Sequence, residues 1–440
     1  MAKCSPCETA PASARVHAVN IGFISTRLAG TDGVTLETIK WAHICRQLGH
    51  TVHFCAGELD ADLKPGFLIP EAHFSHPSVV ALQQQCFGVR TRSANTTDEI
   101  HRLARLLKAS IREFVSQHKL DLIVPQNALT IPMHIPLGVA LTEFIAETGI
   151  HTIAHHHDFY WERQRFAING VQDILDAAFP PNLASIKHVV INTPARRELA
   201  QRKGVPSSLI PNVLDFETEP PPVDEYARDL REQLGLKSDD LLILQPTRLV
   251  SRKGVEHAIE LVRRLNEPRA KLVVSHSAGD EGLDYYKWLR DLAHAEGVDM
   301  RFVANRLRET RKFDEQGQKI YTLWDIYPHA DLITYPSLYE GFGNAFLEAV
   351  YFRKPLVVNR YSVYMADIEP LGFETIAMDG YVTDAVVERV RSVLRNEEER
   401  KRMADRNYAI AKQHFSMTVL RRRLRVLLMT AEPTPDEEFA

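Results

Sequence analysis

Tyr339-Glu340-Gly341-Phe342-Gly343-Asn344-Ala345-Phe346-Leu347-Glu348-Ala349 follows the apolar run Leu332-Ile333-Thr334-Tyr335-Pro336. That run is short, β-branched and aromatic, and a proline stops it, which is the pattern of a buried strand. The two glycines make a tight turn, and residues 344–352 have the composition of a helix opening. A strand, a glycine turn and a helix in that order leave unpaired backbone N–H groups above the strand. With the positive end of the helix dipole, those donors favour an anion, a phosphate above all. Glu340 falls just before the helix and Glu348 about one turn inside it, so both flank whatever the helix start holds. Carboxylates repel phosphate but accept hydrogen bonds from hydroxyls such as those of ribose and hexose. The stretch reads as a holder for a sugar joined to a nucleotide through phosphate. An ordinary strand-turn-helix with two surface glutamates meets the same pattern.

A chain of 440 residues exceeds one compact core and implies two or three domains. Its 45% hydrophobic and 25% charged content is that of a soluble globular protein. A formal charge of −4 argues against general nucleic-acid binding. Five cysteines, an odd and small number, make a disulfide framework unexpected and favour a reducing cytoplasm. Cys4-Ser-Pro-Cys7 has the spacing of a redox or zinc pair, but it stands alone in an alanine- and proline-containing tail, residues 1–15, that reads as disordered. The tail lacks the apolar centre of a signal peptide, and no run of about 18 uncharged apolar residues occurs to span a membrane.

Outward from the opening stretch, the chain alternates strands and helices. Residues 16–24 read as a strand, 34–48 as a helix and 51–56 as a strand, a βαβ unit that implies a doubly wound parallel sheet. The intervening loop Leu28-Ala29-Gly30-Thr31-Asp32-Gly33 is not a dinucleotide fingerprint, yet it puts backbone donors at a strand's carboxyl end. Asp60-Ala61-Asp62 has the D-x-D form of a metal site but stands in a polar loop and reads as solvated. A helix is expected over 97–117, a strand over 120–124, and a helix after Asn127 delayed by Pro132 and Pro136. A further strand ends near Ala154, and His155, His156 and His157 emerge from it. His155 and His157 share a face and with Asp158 are one conceivable metal set; histidines capping strand ends are the plain alternative.

Residues 189–192 read as a strand, 194–202 as a helix, 217–223 as a proline-rich linker and 224–236 as a connecting helix. A second parallel sheet begins at 241–245. Arg248 and Lys253 follow it in the loop Thr247-Arg248-Leu249-Val250-Ser251-Arg252-Lys253-Gly254, where two cations make a phosphate clamp or, more plainly, a basic surface loop. Strands over 271–275, 300–304 and 355–359, the turn Ser275-His276-Ser277-Ala278-Gly279, and helices over 382–394, 397–414 and 419–429 complete the reading.

Glu340 and Glu348 around Gly-Phe-Gly resemble the E-x7-E signature of retaining glycosyltransferases of the GT-B fold, in particular the GT4 family, glycosyl transferases group 1. Arg248 and Lys253 resemble that family's R-x4-K, and Ile210-Pro211-Asn212-Val213-Leu214-Asp215 resembles its PNGVD segment without the glycine. The resemblance runs from about residue 16 to 428. It implies an α/β fold of two Rossmann-like doubly wound domains facing a cleft. The acceptor side would be 16–213, the linker and connecting helix 214–240, the nucleotide-sugar side 241–412, and the returning terminal helix 413–440.

It also implies roles for residues. Glu340, Arg248, Lys253 and His157 would be catalytic, His157-Asp158 matching the family's sugar-binding histidine with His156 as runner-up. Gly33, His276, Gly343, Asn344, Ala345, Phe346 and Glu348 would join Arg248 and Lys253 around the donor, Glu348 on the ribose. Arg27, His156, Arg163 and Arg165 would face an acidic acceptor. No metal and no cofactor is expected, the cations serving the diphosphate of GDP-mannose or UDP-glucose. Residues 25–58, 155–165 and 339–361 look like bacterial transferases that make compatible solutes of the mannosylglucosyl-phosphoglycerate type. The expected partners are a nucleotide-sugar donor and a small-molecule or glycan acceptor, not nucleic acid. A homodimer and a peripheral membrane contact through Arg421-Arg422-Arg423 stay open. Two other readings keep the fold: a nucleotide-sugar-binding or epimerising protein, and a phosphorylase.

Overall fold

The computed structural model describes residues 18–276 and 283–429. The tail with Cys4 and Cys7, and Ser277, Ala278 and Gly279 of the turn after His276, lie outside the described residues.

Seven parallel strands form the first sheet: β1 (Asn20–Ile24), β2 (Thr51–Ala56), β3 (Gly66–Leu68), β4 (Leu122–Pro125), β5 (His151–His156), β6 (Ile186–Val190) and β7 (Ser207–Leu209). Their order is β3-β2-β1-β4-β5-β6-β7. The second sheet holds β8 (Leu241–Gln245), β9 (Ala270–Val274), β10 (Met300–Phe302), β13 (Leu332–Tyr335), β14 (Leu356–Asn359) and β15 (Ile376–Met378), in the order β10-β9-β8-β13-β14-β15. A small antiparallel hairpin, β11 (Lys312–Phe313) with β12 (Lys319–Ile320), stands apart. Both large sheets are parallel and doubly wound, the architecture that alternating strands and helices demand.

Helices α1 (Gly33–Gln47), α2 (Pro77–Cys86), α3 (Ala94–Gln117), α4 (Ile135–Thr148), α5 (Gln172–Ala178) and α6 (Thr193–Lys203) serve the first sheet. Around the second lie α7 (Leu230–Gln233), α8 (Val255–Leu265), α9 (Leu283–Ala295), α10 (Leu323–Ile326), α11 (Asn344–Tyr351), α12 (Asp384–Arg395) and α13 (Glu397–His414), followed by α14 (Met417–Met429). The i, i+3, i+4, i+7 rule is clear in α8, whose Val255, Ala258, Ile259, Val262 and Leu265 are buried against the sheet. Each large side chain there contributes about 1.5–3 kcal/mol of burial. α14 returns to the first half: Leu420, Leu424, Leu427 and Leu428 share a core with Trp41, Ile44 and Cys45 of α1. Arg421 and Arg423 of α14 are engaged by Gln47 and by the Leu209 carbonyl.

The expected helix over 224–236 shrinks to α7. Asp224 instead accepts the Ala227 N–H and pairs with Arg311, while Asp229 is drawn to Lys319 and Tyr321. Side chains that satisfy tertiary partners override a weak local preference. Among the described residues no helix is long and apolar enough to cross a membrane.

The strand order reverses between β1 and β4 in the first sheet and between β8 and β13 in the second. Open α/β sheets bind ligands at such switch points, beyond the carboxyl ends of the strands. The loops after β1, β4, β5, β8 and β13 are therefore where such a fold would place a ligand.

Candidate functional site

The loop after β13 is shaped by what surrounds it. Thr334 donates to Gln245 Oε1 at 2.7 Å, and Gln245 donates to Thr247, so a buried chain ties β13 to the loop carrying Arg248. Asn359 at the end of β14 holds the Ser337 carbonyl at 3.1 Å, and the Leu338 N–H donates to the Arg252 carbonyl. Gly343 has φ +123°, and a Cβ there would stand 2.5 Å from the Tyr361 hydroxyl, which donates to the Phe342 carbonyl. Only glycine fits on both counts. The turn opens α11 with the N–H groups of Gly343, Asn344 and Ala345 free of any acceptor among the described residues, as the start of a helix requires. Phe346 does not join them. Its N–H donates to the Gly343 carbonyl at 3.0 Å, and its ring is buried against Phe373.

Lys253 and Glu340, separate in the sequence reading, form one buried ion pair. Arg252 adds a second contact to Glu340 at 3.4 Å and reaches the Tyr339 carbonyl. Burial pushes the Glu340 carboxyl up, but Lys253 and Arg252 together bring it below its usual range, so it is ionised. Burial draws the Lys253 ammonium down, with Glu340 opposing. Arg248 is exposed and makes no ion pair among the described residues. It lies close enough to His276, with Lys253, to help hold that imidazole at about 4, burial being the larger cause. Arg248 and Lys253 both act on His276, and Lys253 pairs with Glu340 just before α11, so the loops after β8, β9 and β13 meet here.

Glu348 lies one turn into α11. Tyr327 donates to its Oε2 at 2.8 Å, and Oε1 takes no hydrogen bond from the described residues. Burial raises the Glu348 carboxyl, with Tyr327 and then Lys40 opposing. Tyr327, 21 residues upstream, had no motif to announce it.

From the first sheet, Asp32 caps α1 by accepting from the Val34 and Thr35 N–H groups, and it pairs with Arg27 at 3.0 Å. Asp60 of the D-x-D accepts the Gly30 N–H at 2.9 Å, so it braces the loop, while Asp62 is exposed. Among the described residues no group of three or more His, Cys, Asp or Glu side chains could hold a metal ion. His155 is stacked on Trp41 at 4.1 Å and bonded to Gln126. His156, expected to face the acceptor and runner-up to His157 as the sugar-binding histidine, is instead buried with its Nε2 2.8 Å from His188 Nδ1. A side chain so enclosed cannot also grip an acceptor.

His157 is set at the boundary: Asn127 accepts its N–H at 3.0 Å, and its carbonyl would meet a Cβ on Gly341 at 3.2 Å. Burial holds the His157 imidazole at about 4, so it is a neutral hydrogen-bonding group. Arg163 pairs with Asp158 beside it, whereas Arg165 lies over the Phe166 ring at 4.6 Å.

The two halves touch across this crevice. Asn192 donates to the Gly341 carbonyl at 2.6 Å, and Asn212 to Asn344 Oδ1 at 2.8 Å. A Cβ on Gly33 would stand 3.6 Å from Asn344 Nδ2, so the starts of α1 and α11 face one another. Asn192 was not singled out in the sequence, and Asn212 only as part of the PNGVD-like segment. Other concavities, one of about 320 Å³ beside Arg196 and Arg197 and one of about 140 Å³ beside Arg311 and Trp324, hold none of these groups.

The glycosyl transferases group 1 family model matches residues 227–410. Mannosylglucosylglycerate synthase of Petrotoga mobilis is 32% identical over 383 residues, 82% of this chain and 86% of that protein. The chain belongs to the glycosyl transferases group 1 family. Mannosylglucosylglycerate synthase of Thermotoga maritima is 29% identical over 91% of this chain and 97% of its own length. Among solved structures, Anabaena Alr3699/HepE in complex with UDP-glucose superposes with a TM-score of 0.67 at 16% identity, covering 94% of this chain and 100% of that one. The fold is GT-B, and the protein is a glycosyltransferase.

Proposed function

We propose that this glycosyltransferase moves a mannosyl group, with retention, from a nucleoside diphosphate sugar to a hydroxyl of an acidic acceptor of the glucosylglycerate type. The donor side is supported by the ion pair of Lys253 with Glu340 just before α11, by the N–H groups of Asn344 and Ala345 left without an acceptor among the described residues, and by Arg248, which has no ion pair among the described residues and acts with Lys253 on His276. Two relatives named mannosylglucosylglycerate synthase, similar over most of the chain, support the sugar and the acceptor. GDP-mannose is the donor we favour over UDP-glucose, because the outermost residue in that product name is mannose.

The chain would divide its work at residues 214–240, with the acceptor on the first sheet's side and the donor on the second's. The bond from the sugar's anomeric carbon to the diphosphate oxygen breaks, and its electron pair leaves with the diphosphate. The acceptor oxygen bonds to the same face of that carbon, and its proton passes to the departing phosphate oxygen. Arg248, Lys253, His276 and the start of α11 stabilise the charge that develops there. Glu340, fixed by Lys253 and Arg252, accepts from the sugar's hydroxyls, and neutral His157 meets the sugar from the other half. Glu348 takes the ribose through its open Oε1. Arg27 and Arg163, each already facing one aspartate, are the cations we assign to the acceptor.

Thermal-shift screening against GDP, UDP and ADP, then turnover of GDP-mannose and UDP-glucose with a panel of acceptors, tests the proposal. Mannosyl transfer to glucosylglycerate is expected. Nucleotide release that needs no acceptor, or sugar 1-phosphate formed from inorganic phosphate, would overturn it.

A further inference from the structure

Asn192 joins two elements that the transfer chemistry above does not connect. It is 3% exposed, and its amide fits in only one orientation. Oδ1 accepts the Ala195 N–H at 2.7 Å, capping α6, while Nδ2 donates to the Gly341 carbonyl of the opposite half at 2.6 Å. Turned over, the amide would set donor against donor and acceptor against acceptor. The start of α6 is pinned from the second half as well. The Thr193 N–H donates to Asp367 Oδ2 at 2.7 Å, Pro194 has no N–H, and the Arg196 N–H donates to the Asn192 carbonyl. A carboxylate from the segment after β14 thus sits at the positive end of a helix of the first half, and the donors of that first turn are all taken.

Gly341 is pressed from the same side. A Cβ on it would stand 3.2 Å from the His157 carbonyl oxygen and 3.9 Å from Ile191 Cδ1. The next carbonyl, that of Phe342, is held from the second half by the Tyr361 hydroxyl at 2.9 Å. In a trans peptide the N–H points opposite to the C=O of the same unit, so fixing one aims the other. Asn192 therefore aims the Phe342 N–H, and Tyr361 aims the Gly343 N–H. Neither N–H has an acceptor among the described residues, and the two lead directly into the open N–H groups of Asn344 and Ala345.

We propose that Asn192 is a positioning residue for the donor: from the first half it fixes the peptide between Gly341 and Phe342, and with it the backbone donors of the turn that opens α11. The inference rests on the reading of that turn as the holder of the diphosphate. The donor site of the second half is then complete only with the first half seated against it.

Titration calorimetry with a nucleoside diphosphate and with the nucleoside tests this. Asn192→Asp keeps the cap of α6, since aspartate caps as well as asparagine, but turns the amide donor into a second acceptor facing the Gly341 carbonyl. Diphosphate affinity should fall about 10-fold, the size of one hydrogen bond replaced by repulsion, while nucleoside affinity holds. If Asn192→Asp fails to fold, Asn192→Ser, which also caps but is too short to reach Gly341, should show the same selective loss at about 3- to 10-fold. A residue that only caps α6 would leave both affinities unchanged, and a general loosening would weaken both ligands alike; either result overturns the role of Asn192. Arg248→Ala, measured beside them, separates the two readings. If it weakens the diphosphate while the Asn192 variants do not, the role of Asn192 alone fails. If it leaves the diphosphate unaffected, the donor-site reading fails, and the role of Asn192 falls with it.

Discussion

Replacing Lys253 with methionine removes the principal counter-ion of a buried carboxylate. The two side chains are only 11% and 9% exposed, so the cost of leaving Glu340 charged is that of breaking a buried pair, about 3–5 kcal/mol. Arg252 remains 3.4 Å from Glu340 but is 41% exposed and well solvated, which places the expectation near ~3 kcal/mol. Glu340→Gln in the same chain removes the stranded charge, and the double variant should recover most of the loss, a coupling of about 2–3 kcal/mol.

In the wild type the Glu340 carboxyl lies below its ordinary 4.5, so the pair's contribution is present above that value and fades as pH falls through the lower folded one. Without Lys253, burial dominates and the folded value rises. The variant's deficit should therefore shrink from pH 8 to pH 5. Urea unfolding followed by tryptophan fluorescence reads this in the second half, where Trp324 packs on Tyr351 of α11. Nucleoside diphosphate affinity should fall about 10- to 100-fold in both the single and the double variant, since neither has the ammonium. A single variant within ~0.5 kcal/mol of wild type, or a double variant no more stable than the single, would refute the reasoning.

Arg248→Ala should leave the unfolding midpoint unchanged, because the side chain is exposed and has no ion pair among the described residues, yet weaken a nucleoside diphosphate about 10-fold or more while sparing the nucleoside; calorimetry with both ligands checks it. Gly343→Ala should cost at least ~1 kcal/mol for the backbone at φ +123° and more for the clash with Tyr361, and should abolish nucleotide binding. Adding Tyr361→Phe should relieve the clash only, leaving binding impaired. Acid should unfold the protein early. His134, His157 and His188 are buried and held at about 4 by burial, against an ordinary 6.5. The unfolded chain thus binds more protons between those values, and stability rises with pH across that window, each histidine accounting for ~3 kcal/mol at most. Denaturant midpoints unchanged between pH 6.5 and 4 would contradict this.

The opening stretch was legible because its parts are local. An apolar run, a proline, two glycines and a helix composition need nothing outside residues 332–352, and β13 and α11 follow as read. The cations of the loop after β8 were legible for the same reason. What escaped the sequence depends on partners far away in the chain. Nothing near Lys253 says that it will meet Glu340, 87 residues on, or near His156 that His188 will claim it. Tyr327 on Glu348, Asn192 on Gly341 and Asp60 on Gly30 are likewise tertiary. The edge strands β3, β7 and β15, three residues each, are too short to show a period.

A structure of the protein with a nucleoside diphosphate bound tests directly where the diphosphate is gripped. The phosphate oxygens should lie about 3 Å from the Arg248 guanidinium, the Lys253 ammonium and the N–H groups of Asn344 and Ala345, with the ribose on Glu348. Phosphates seated elsewhere, such as against Arg196 and Arg197, would contradict it.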